Sequence, residues 1–137
     1  MTDNLCAKNI KKVVLGGKIN IEEFVAVARF GAKVEFSEEY CERVKKSRKL
    51  VEKWVKEGRV MYGITTGFGA LCTEVISEED ASKLQRNIIL SHSTSVGDPL
   101  SIEEVRGTML MVLQNVGQGF SGARIETMEM YRQFLNL

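Results

Sequence analysis

Apolar residues recur at helical spacing along much of this chain. The longest such pattern lies between Ser37, a residue typical of helix N-caps, and Gly58, a residue typical of helix ends. We predict a helix from Ser37 to about Glu57, because the apolar positions there step by about one helical turn. These positions are Tyr40, Val44, Val51 and Val55.

Two other helices carry recognisable start signals. Asn20 with Glu23, and Ser101 with Glu104, have the spacing of a capping box, in which each side chain bonds the backbone of the other residue. The first box predicts a helix through about Arg29. The second predicts a helix whose apolar face carries Ile102, Val105, Met109, Leu113 and Val116.

The remaining segments complete a mainly α fold with a possible small strand pair. Ser77 and Asp80 predict the start of a helix that runs to about Leu90, and a last helix follows Ala123. Short apolar runs at Val13–Leu15 and Lys33–Phe36 predict the two strands. The stretches 59–73 and 93–99 lack helical periodicity and predict loops, where function usually resides.

Length and composition indicate one soluble globular domain spanning residues 1–137. Hydrophobic residues make up 44% of the chain and charged residues 27%, and the formal net charge is +1. This balance gives no electrostatic reason to expect a nucleic-acid or membrane partner. The three cysteines form no Cys-x-x-Cys pair and only one histidine is present, so we expect no metal site. Free thiols and the absence of a visible signal sequence favour a cytoplasmic location.

The first candidate site is the glycine-rich segment Tyr62–Gly69. Its three glycines permit left-handed backbone angles and close approach of the backbone to a ligand, and its two threonines can bond the loop to itself. A phosphate-binding loop would require a lysine that is absent. Composition alone leaves a ligand-binding loop and a rigid turn without chemistry both open.

The second candidate is the pair Ser91 and His92 at a predicted helix end. His92 continues an apolar stripe with Leu84 and Ile88, and a lone histidine on such a stripe is more often a core residue than a ligand. The neighbouring loop makes partial access possible, and imidazole changes its protonation state near neutral pH. Both interpretations stay open at this point.

A third pattern, Gly117–Gly122, matches Gly-x-Gly-x-x-Gly literally. A dinucleotide-binding fingerprint requires a preceding strand, whereas the preceding segment has the periodicity of a helix. We therefore reject a dinucleotide site. A hydrolase triad is rejected too, because no Gly-x-Ser-x-Gly elbow occurs.

Taken together, these residues resemble the histidine and phenylalanine ammonia-lyase family over about Ile19 to Leu137. The segment Tyr62–Gly69 matches the family signature at every fixed position, and other family segments follow in order. These segments are Leu84-Gln85-x-Asn87, Ser91-His92, Val96-Gly97-x-Pro99-Leu100, Val105-Arg106 and Gly119–Arg124. The resemblance implies the helical N-terminal part of the ammonia-lyase fold.

The resemblance also implies roles for four residues. Tyr62 corresponds to the tyrosine that takes a proton from the β carbon of the substrate, which requires stabilisation of its phenolate. Gly69 would line the substrate pocket with its backbone. Ser91 and His92 occupy the selectivity position, and a histidine there implies L-histidine as the substrate, with urocanate and ammonia as the products. An imidazole can exchange a hydrogen bond with the substrate imidazole.

One part of the family's active site is missing from these 137 residues. The family's electrophile, a methylidene-imidazolone, forms from an internal Ala-Ser-Gly, and no such tripeptide occurs here. We therefore expect no cofactor in this chain itself and expect the group on a partner chain. The expected partners are a second lyase subunit carrying Ala-Ser-Gly, further copies of this chain, or both, and the expected ligand is a small amino acid. The chain alone would be inactive.

Two departures leave alternatives open. Relatives usually carry Arg-x-Asn where this chain has Val112 and Gln114. These changes would suit a non-catalytic binding or regulatory protein derived from the lyase fold. A truncated remnant without independent function is the third interpretation.

Overall fold

A computed structural model describes residues 4–67, 69 and 78–137. Phe68 of the signature, the predicted helix start at Ser77 and the thiol of Cys72 lie outside the described residues. The described elements are α1 (Asn4–Asn9), β1 (Lys12–Leu15), α2 (Ile21–Phe30), β2 (Lys33–Phe36), α3 (Glu38–Lys56), α4 (Glu78–His92), α5 (Ile102–Val116) and α6 (Ile125–Leu135). The predicted mainly α fold with a small strand pair is confirmed.

Two compact units divide the chain. The first contains residues 1–49 and 99–137, and the second contains residues 50–98. The first unit therefore holds both strands, α1, α2, α5 and α6, together with most of α3. The second unit holds the last turns of α3, the glycine-rich loop and α4.

The two strands pair in parallel, with Val13 opposite Val34 and Leu15 opposite Phe36. Helix α2 provides the crossover that parallel strands require. Val13, Leu15 and Val34 are buried, whereas Lys12 and Glu35 form an exposed ion pair of 3.0 Å between Nζ and Oε2. Val34 on β2 also bonds the side chain of Asn136. Asn136 Oδ1 accepts from Val34 N at 2.8 Å, and Asn136 Nδ2 donates to Val34 O at 2.9 Å.

Both predicted capping boxes form. The Asn20 side chain accepts from Glu23 N at 2.8 Å, and the Glu23 carboxylate accepts from Asn20 N at 2.9 Å. Ser101 and Glu104 make the equivalent pair of bonds at the start of α5. At the start of α3, Ser37 Oγ accepts from Tyr40 N at 3.2 Å.

The core of the first unit lies between the strand pair and helices α2, α3, α5 and α6. On α5 the buried positions are Gly107, Leu110 and Leu113. The predicted apolar face was therefore partly wrong, because Ile102 and Val105 are exposed. The side of α5 that faces the core is the one that carries Gly107. The Phe24 ring packs closely against this glycine, since a Cβ at Gly107 would lie 2.9 Å from Phe24 Cζ.

Among the described residues, no helix has the length and apolar character needed to cross a membrane. In the same part of the chain, no three histidine, cysteine, aspartate or glutamate side chains cluster in a way that could hold a metal ion.

Candidate functional site

The glycine-rich loop begins soon after α3 ends. Gly58, at φ +65°, terminates the helix, and Met61 then opens a tight turn in which its carbonyl accepts from Ile64 N at 3.1 Å and from Thr65 N at 3.0 Å. Tyr62 occupies this turn with 66% of its surface exposed. Gly63 follows at φ +71°, an angle that few other residues adopt. The phenol of Tyr62 is therefore accessible from solvent within its own unit.

Two threonine hydroxyls hold the loop in this conformation. Thr65 Oγ1 accepts from Met61 N at 2.8 Å and donates to Arg59 O at 2.6 Å. Thr66 Oγ1 accepts from Gly63 N at 3.3 Å and lies 3.1 Å from Gly67 O, to which it can donate. Thr66 is 2% exposed, so its bonds are shielded from water. The prediction that the two threonines bond the loop to itself is confirmed.

Gly69 is the only described residue in the stretch 68–77. Its φ is +56°, it is exposed, and a Cβ built on it would meet nothing within 4 Å. The left-handed backbone angle, and not a lack of space, is therefore what favours glycine at this position.

Ser91 and His92 form the last residues of α4 and are both exposed. Ser91 Oγ lies 3.0 Å from Ile88 O and 2.9 Å from His92 Nδ1, and His92 Nδ1 lies 3.0 Å from the same carbonyl. The Nδ1 side of the imidazole therefore lies against α4, the helix that carries His92. The exposure of His92 shows that it is not a core residue of its own unit.

All four predicted site residues lie in the unit of residues 50–98. A described hydrogen bond joins Ser91 to His92, while Tyr62 and Gly69 belong to the loop between α3 and α4. Sequence reasoning missed the carbonyl of Ile88, because a backbone acceptor leaves no trace in residue identity. The i−4 spacing between Ile88 and His92 was the one available signal.

The third pattern, Gly117–Gly122, follows helix α5 and not a strand, as predicted. Arg43 holds its start, since Nε donates to Gly117 O at 2.9 Å and Nη2 donates to Gly16 O at 2.7 Å. A Cβ on Gly117 would lie 2.0 Å from Tyr40 Cε2. These glycines therefore serve packing and turn geometry.

Comparisons with known proteins place these features in a family. Residues 19–137 match the model of the family described as aromatic amino acid lyase. The histidine ammonia-lyase of Caldanaerobacter subterraneus subsp. tengcongensis is 49% identical over 128 residues, which cover 93% of this chain and 25% of that protein.

The fold of this chain also matches solved structures of an ergothionase and of a histidine ammonia-lyase. Ergothionase from Treponema denticola superposes with a TM-score of 0.87 at 31% identity, over 91% of this chain and 25% of that one. Histidine ammonia-lyase from Trypanosoma cruzi superposes with a TM-score of 0.80 at 32% identity, over the same shares of the two chains. This chain spans about a quarter of the length of the relatives that it matches.

Proposed function

Because this chain belongs to the aromatic amino acid lyase family, we propose that it is a subunit or fragment of a histidine ammonia-lyase. Such an enzyme converts L-histidine to urocanate and ammonia. The observation that carries this proposal is the 49% identity to a histidine ammonia-lyase across 93% of the chain. The exposed Ser91-His92 pair at the selectivity position supports the choice of histidine over phenylalanine or tyrosine.

In this proposal, Tyr62 is the base. Its phenolate oxygen takes the proton from Cβ of the substrate, the Cα–N bond breaks, a Cα=Cβ double bond forms and ammonia leaves. The threonine-bonded turn supports this role because it fixes the backbone on both sides of Tyr62 while leaving the phenol exposed. A base must be held within hydrogen-bond reach of its proton to be effective.

The substrate side chain would be read by His92. The imidazole of His92 can exchange a hydrogen bond with the imidazole of L-histidine, which a leucine could not do. Gly69 would border the pocket with its backbone, and Ser91 would hold the His92 ring through the 2.9 Å contact to Nδ1. Loss of a hydrogen bond that a site is built to make can weaken discrimination by several orders of magnitude.

These 137 residues do not contain the tripeptide from which the family's electrophile forms. The methylidene-imidazolone group forms from Ala-Ser-Gly, and Ser121-Gly122, the nearest approach to that tripeptide, is preceded by Phe120. Phe120 cannot supply the small residue of the precursor. We propose that the group comes from lyase sequence outside these 137 residues, carried by a second lyase chain if the enzyme is split, so that these residues are inactive by themselves and active once completed.

The direct test is to purify this chain together with a lyase chain that carries Ala-Ser-Gly and to follow urocanate formation from L-histidine. We expect activity from the pair and none from either chain alone. Tyr62→Phe, which removes a single oxygen atom, should lower kcat by roughly 100-fold or more, the usual contribution of a general base. Tyr131→Phe is the matched control, because Tyr131 lies on α6 in the first unit, whereas all four predicted site residues lie in the unit of residues 50–98.

Two results would contradict the proposal. One is a stable two-chain complex that never converts histidine. The other is equal loss of activity in Tyr62→Phe and Tyr131→Phe, which would make the effect structural.

The second candidate is a non-catalytic binding or regulatory protein derived from the lyase fold. The specific observation in its favour is the departure at Val112 and Gln114. Val112 borders an open groove of about 630 Å³ along α5. Gln114 Nε2 donates to Gly17 O at 2.7 Å, so this side chain serves a contact within its own unit. This candidate predicts a stable monomer that forms no complex with an Ala-Ser-Gly chain.

A further inference from the structure

We infer that the carbonyl of Ile88 fixes His92 as the Nδ1–H tautomer and leaves Nε2 as a hydrogen-bond acceptor, so that its ligand must donate an N–H or O–H. This inference rests on the proposed function only in naming the ligand, for which an imidazole N–H is the donor that L-histidine would supply. The tautomer itself follows from the geometry at the end of α4.

Three polar atoms approach one another there. Ser91 Oγ, His92 Nδ1 and Ile88 O are separated by 2.9 to 3.0 Å in each pairing. The carbonyl oxygen can only accept hydrogen bonds, the hydroxyl has one proton to donate, and a neutral ring nitrogen either donates or accepts. The hydroxyl proton can therefore be placed in three ways: Nδ1 is protonated and the hydroxyl donates to Ile88 O, or Nδ1 is bare and the hydroxyl donates either to Nδ1 or to Ile88 O.

In the first arrangement, Nδ1 carries the proton and donates toward Ile88 O and Ser91 Oγ. The Ser91 hydroxyl then donates to Ile88 O. Every one of the three short contacts joins a donor to an acceptor, so none of them is repulsive.

In the second arrangement, Nδ1 is bare and the Ser91 hydroxyl donates to it. The Nδ1 lone pair then faces Ile88 O at 3.0 Å with no proton between them. Ser91 Oγ faces the same carbonyl at 3.0 Å, also without a proton. One hydrogen bond is kept and two acceptor–acceptor contacts appear. The third arrangement, with Nδ1 bare and the hydroxyl donating to Ile88 O, has the same balance, because Nδ1 then faces Ile88 O and Ser91 Oγ without a proton. The first arrangement is therefore favoured.

The consequence for ligand recognition concerns the other ring nitrogen. Nε2 makes no hydrogen bond to any residue in the described ranges, and the ring is exposed. In the Nδ1–H tautomer Nε2 holds a lone pair and can only accept while the ring is neutral. Ser91 and the Ile88 carbonyl are thus positioning groups that act through His92.

The chain offers a clean test because His92 is its only histidine. The full chain would be labelled with ¹⁵N-histidine and held at about pH 9, where neutral imidazole predominates. Proton–nitrogen correlations from the ring C–H protons then show which nitrogen is bare. Neutral histidine in water favours the Nε2–H tautomer, so the expected Nδ1–H form is a reversal. We expect the ratio to move by roughly fivefold to tenfold, the size of one net hydrogen bond.

Two variants separate the contributions of the groups. Ser91→Ala leaves the Ile88 carbonyl in place and should keep the Nδ1–H tautomer. Ser93→Ala is the matched control, because Ser93 bonds Ile89 O and makes no described bond to the ring. The ¹³Cα shifts of residues 88–92 verify in the same sample that the helix is formed.

A predominant Nε2–H tautomer in the parent chain would overturn the inference. So would its appearance in Ser91→Ala, or the absence of the helix. None of these readouts requires activity. An Nδ1–H ring in a complex that produces no urocanate would therefore refute the proposed function while the tautomer assignment stands.

Discussion

At the scale of single residues, Tyr40 joins two elements of the first unit. Its ring is 1% exposed, stacks on Phe36 with centroids 4.2 Å apart, and its hydroxyl donates to Leu113 O at 2.8 Å. The ring also lies against Gly117, where any Cβ would meet it. The packing of Tyr40, on α3, against the end of α5 therefore requires glycine at position 117, and a single added carbon there would disrupt it.

Gly117→Ala should destabilise the protein by about 1–3 kcal/mol, the usual cost of overpacking. The backbone at Gly117 is right-handed, with φ −62°, so alanine would be favoured there if only local conformation mattered. Chemical denaturation measures the change. Gly17→Ala is the control, because a Cβ at Gly17 meets nothing within 4 Å. Equal stability of the two variants would show that the Tyr40 contact is unimportant.

Tyr40 also predicts an alkaline loss of stability. Burial raises the pKa of Tyr40 from 10.0 to about 12, with a smaller rise from Cys41 opposed by Arg43. The unfolded chain loses this proton first as the pH rises. The stabilising contribution is thus complete below pH 10 and is lost as the pH rises toward 12, by up to about 1.4 kcal/mol per pH unit.

The measurement compares the free energy of unfolding of the parent chain and Tyr40→Phe across this range. The phenylalanine variant lacks the titrating group and should show the shallower decline. Parallel curves would mean that Tyr40 titrates alike in the folded and unfolded chains.

At the scale of the elements, arginine side chains close the ends of helices. Arg106 on α5 donates from Nε to Val27 O at 3.0 Å and from Nη1 to Leu135 O at 2.7 Å. Val27 lies in the last turns of α2, and Leu135 is the last residue of α6. Terminal carbonyls of a helix lack partners within it, so one side chain satisfies acceptors on two helices.

Arg106→Met, which keeps most of the side-chain length, should destabilise the first unit by about 3 kcal/mol, since bonds from charged donors are the stronger kind. Arg29→Met is the matched control. Arg29 makes an exposed ion pair with Glu103, and such pairs contribute little. Thermal or urea unfolding distinguishes the two. A loss of similar size in both variants would refute the bridging role of Arg106.

Local signals made most of these elements predictable. Both capping boxes, the Ser37 cap and the strand bounds at Lys33–Phe36 depend on residues within one turn of one another, and all are found in the structure. The six-residue helix α1 was not predicted, because it is too short to show a helical period. The buried face of α5 was misassigned because tertiary packing of Phe24 against Gly107 sets its rotation.

The candidate site was predictable in part for the same reason. Glycine and threonine in the Tyr62 turn indicate a self-bonded loop, since their bonds are local. The exposure of His92 could not be read from its apolar stripe, because Leu84 and Ile88 are themselves only half-buried. The roles of Tyr62, Gly69, Ser91 and His92 came from family resemblance and stay predictions.

At the scale of the whole molecule, the central fact is that the chain spans about a quarter of its relatives. Large apolar side chains in the first unit are exposed, including Ile102, Phe120 at 93% and Phe134. Surfaces of this kind are commonly covered by another protein segment. This agrees with the proposal that a second lyase chain completes the enzyme.

The most direct test of that proposal is the intact mass of the native complex isolated from the source cells under non-denaturing conditions. The proposal predicts that this chain travels with a larger chain that contains Ala-Ser-Gly and that the isolated complex forms urocanate from L-histidine. A particle in which no chain contains Ala-Ser-Gly would hold no electrophile and would contradict the proposed function.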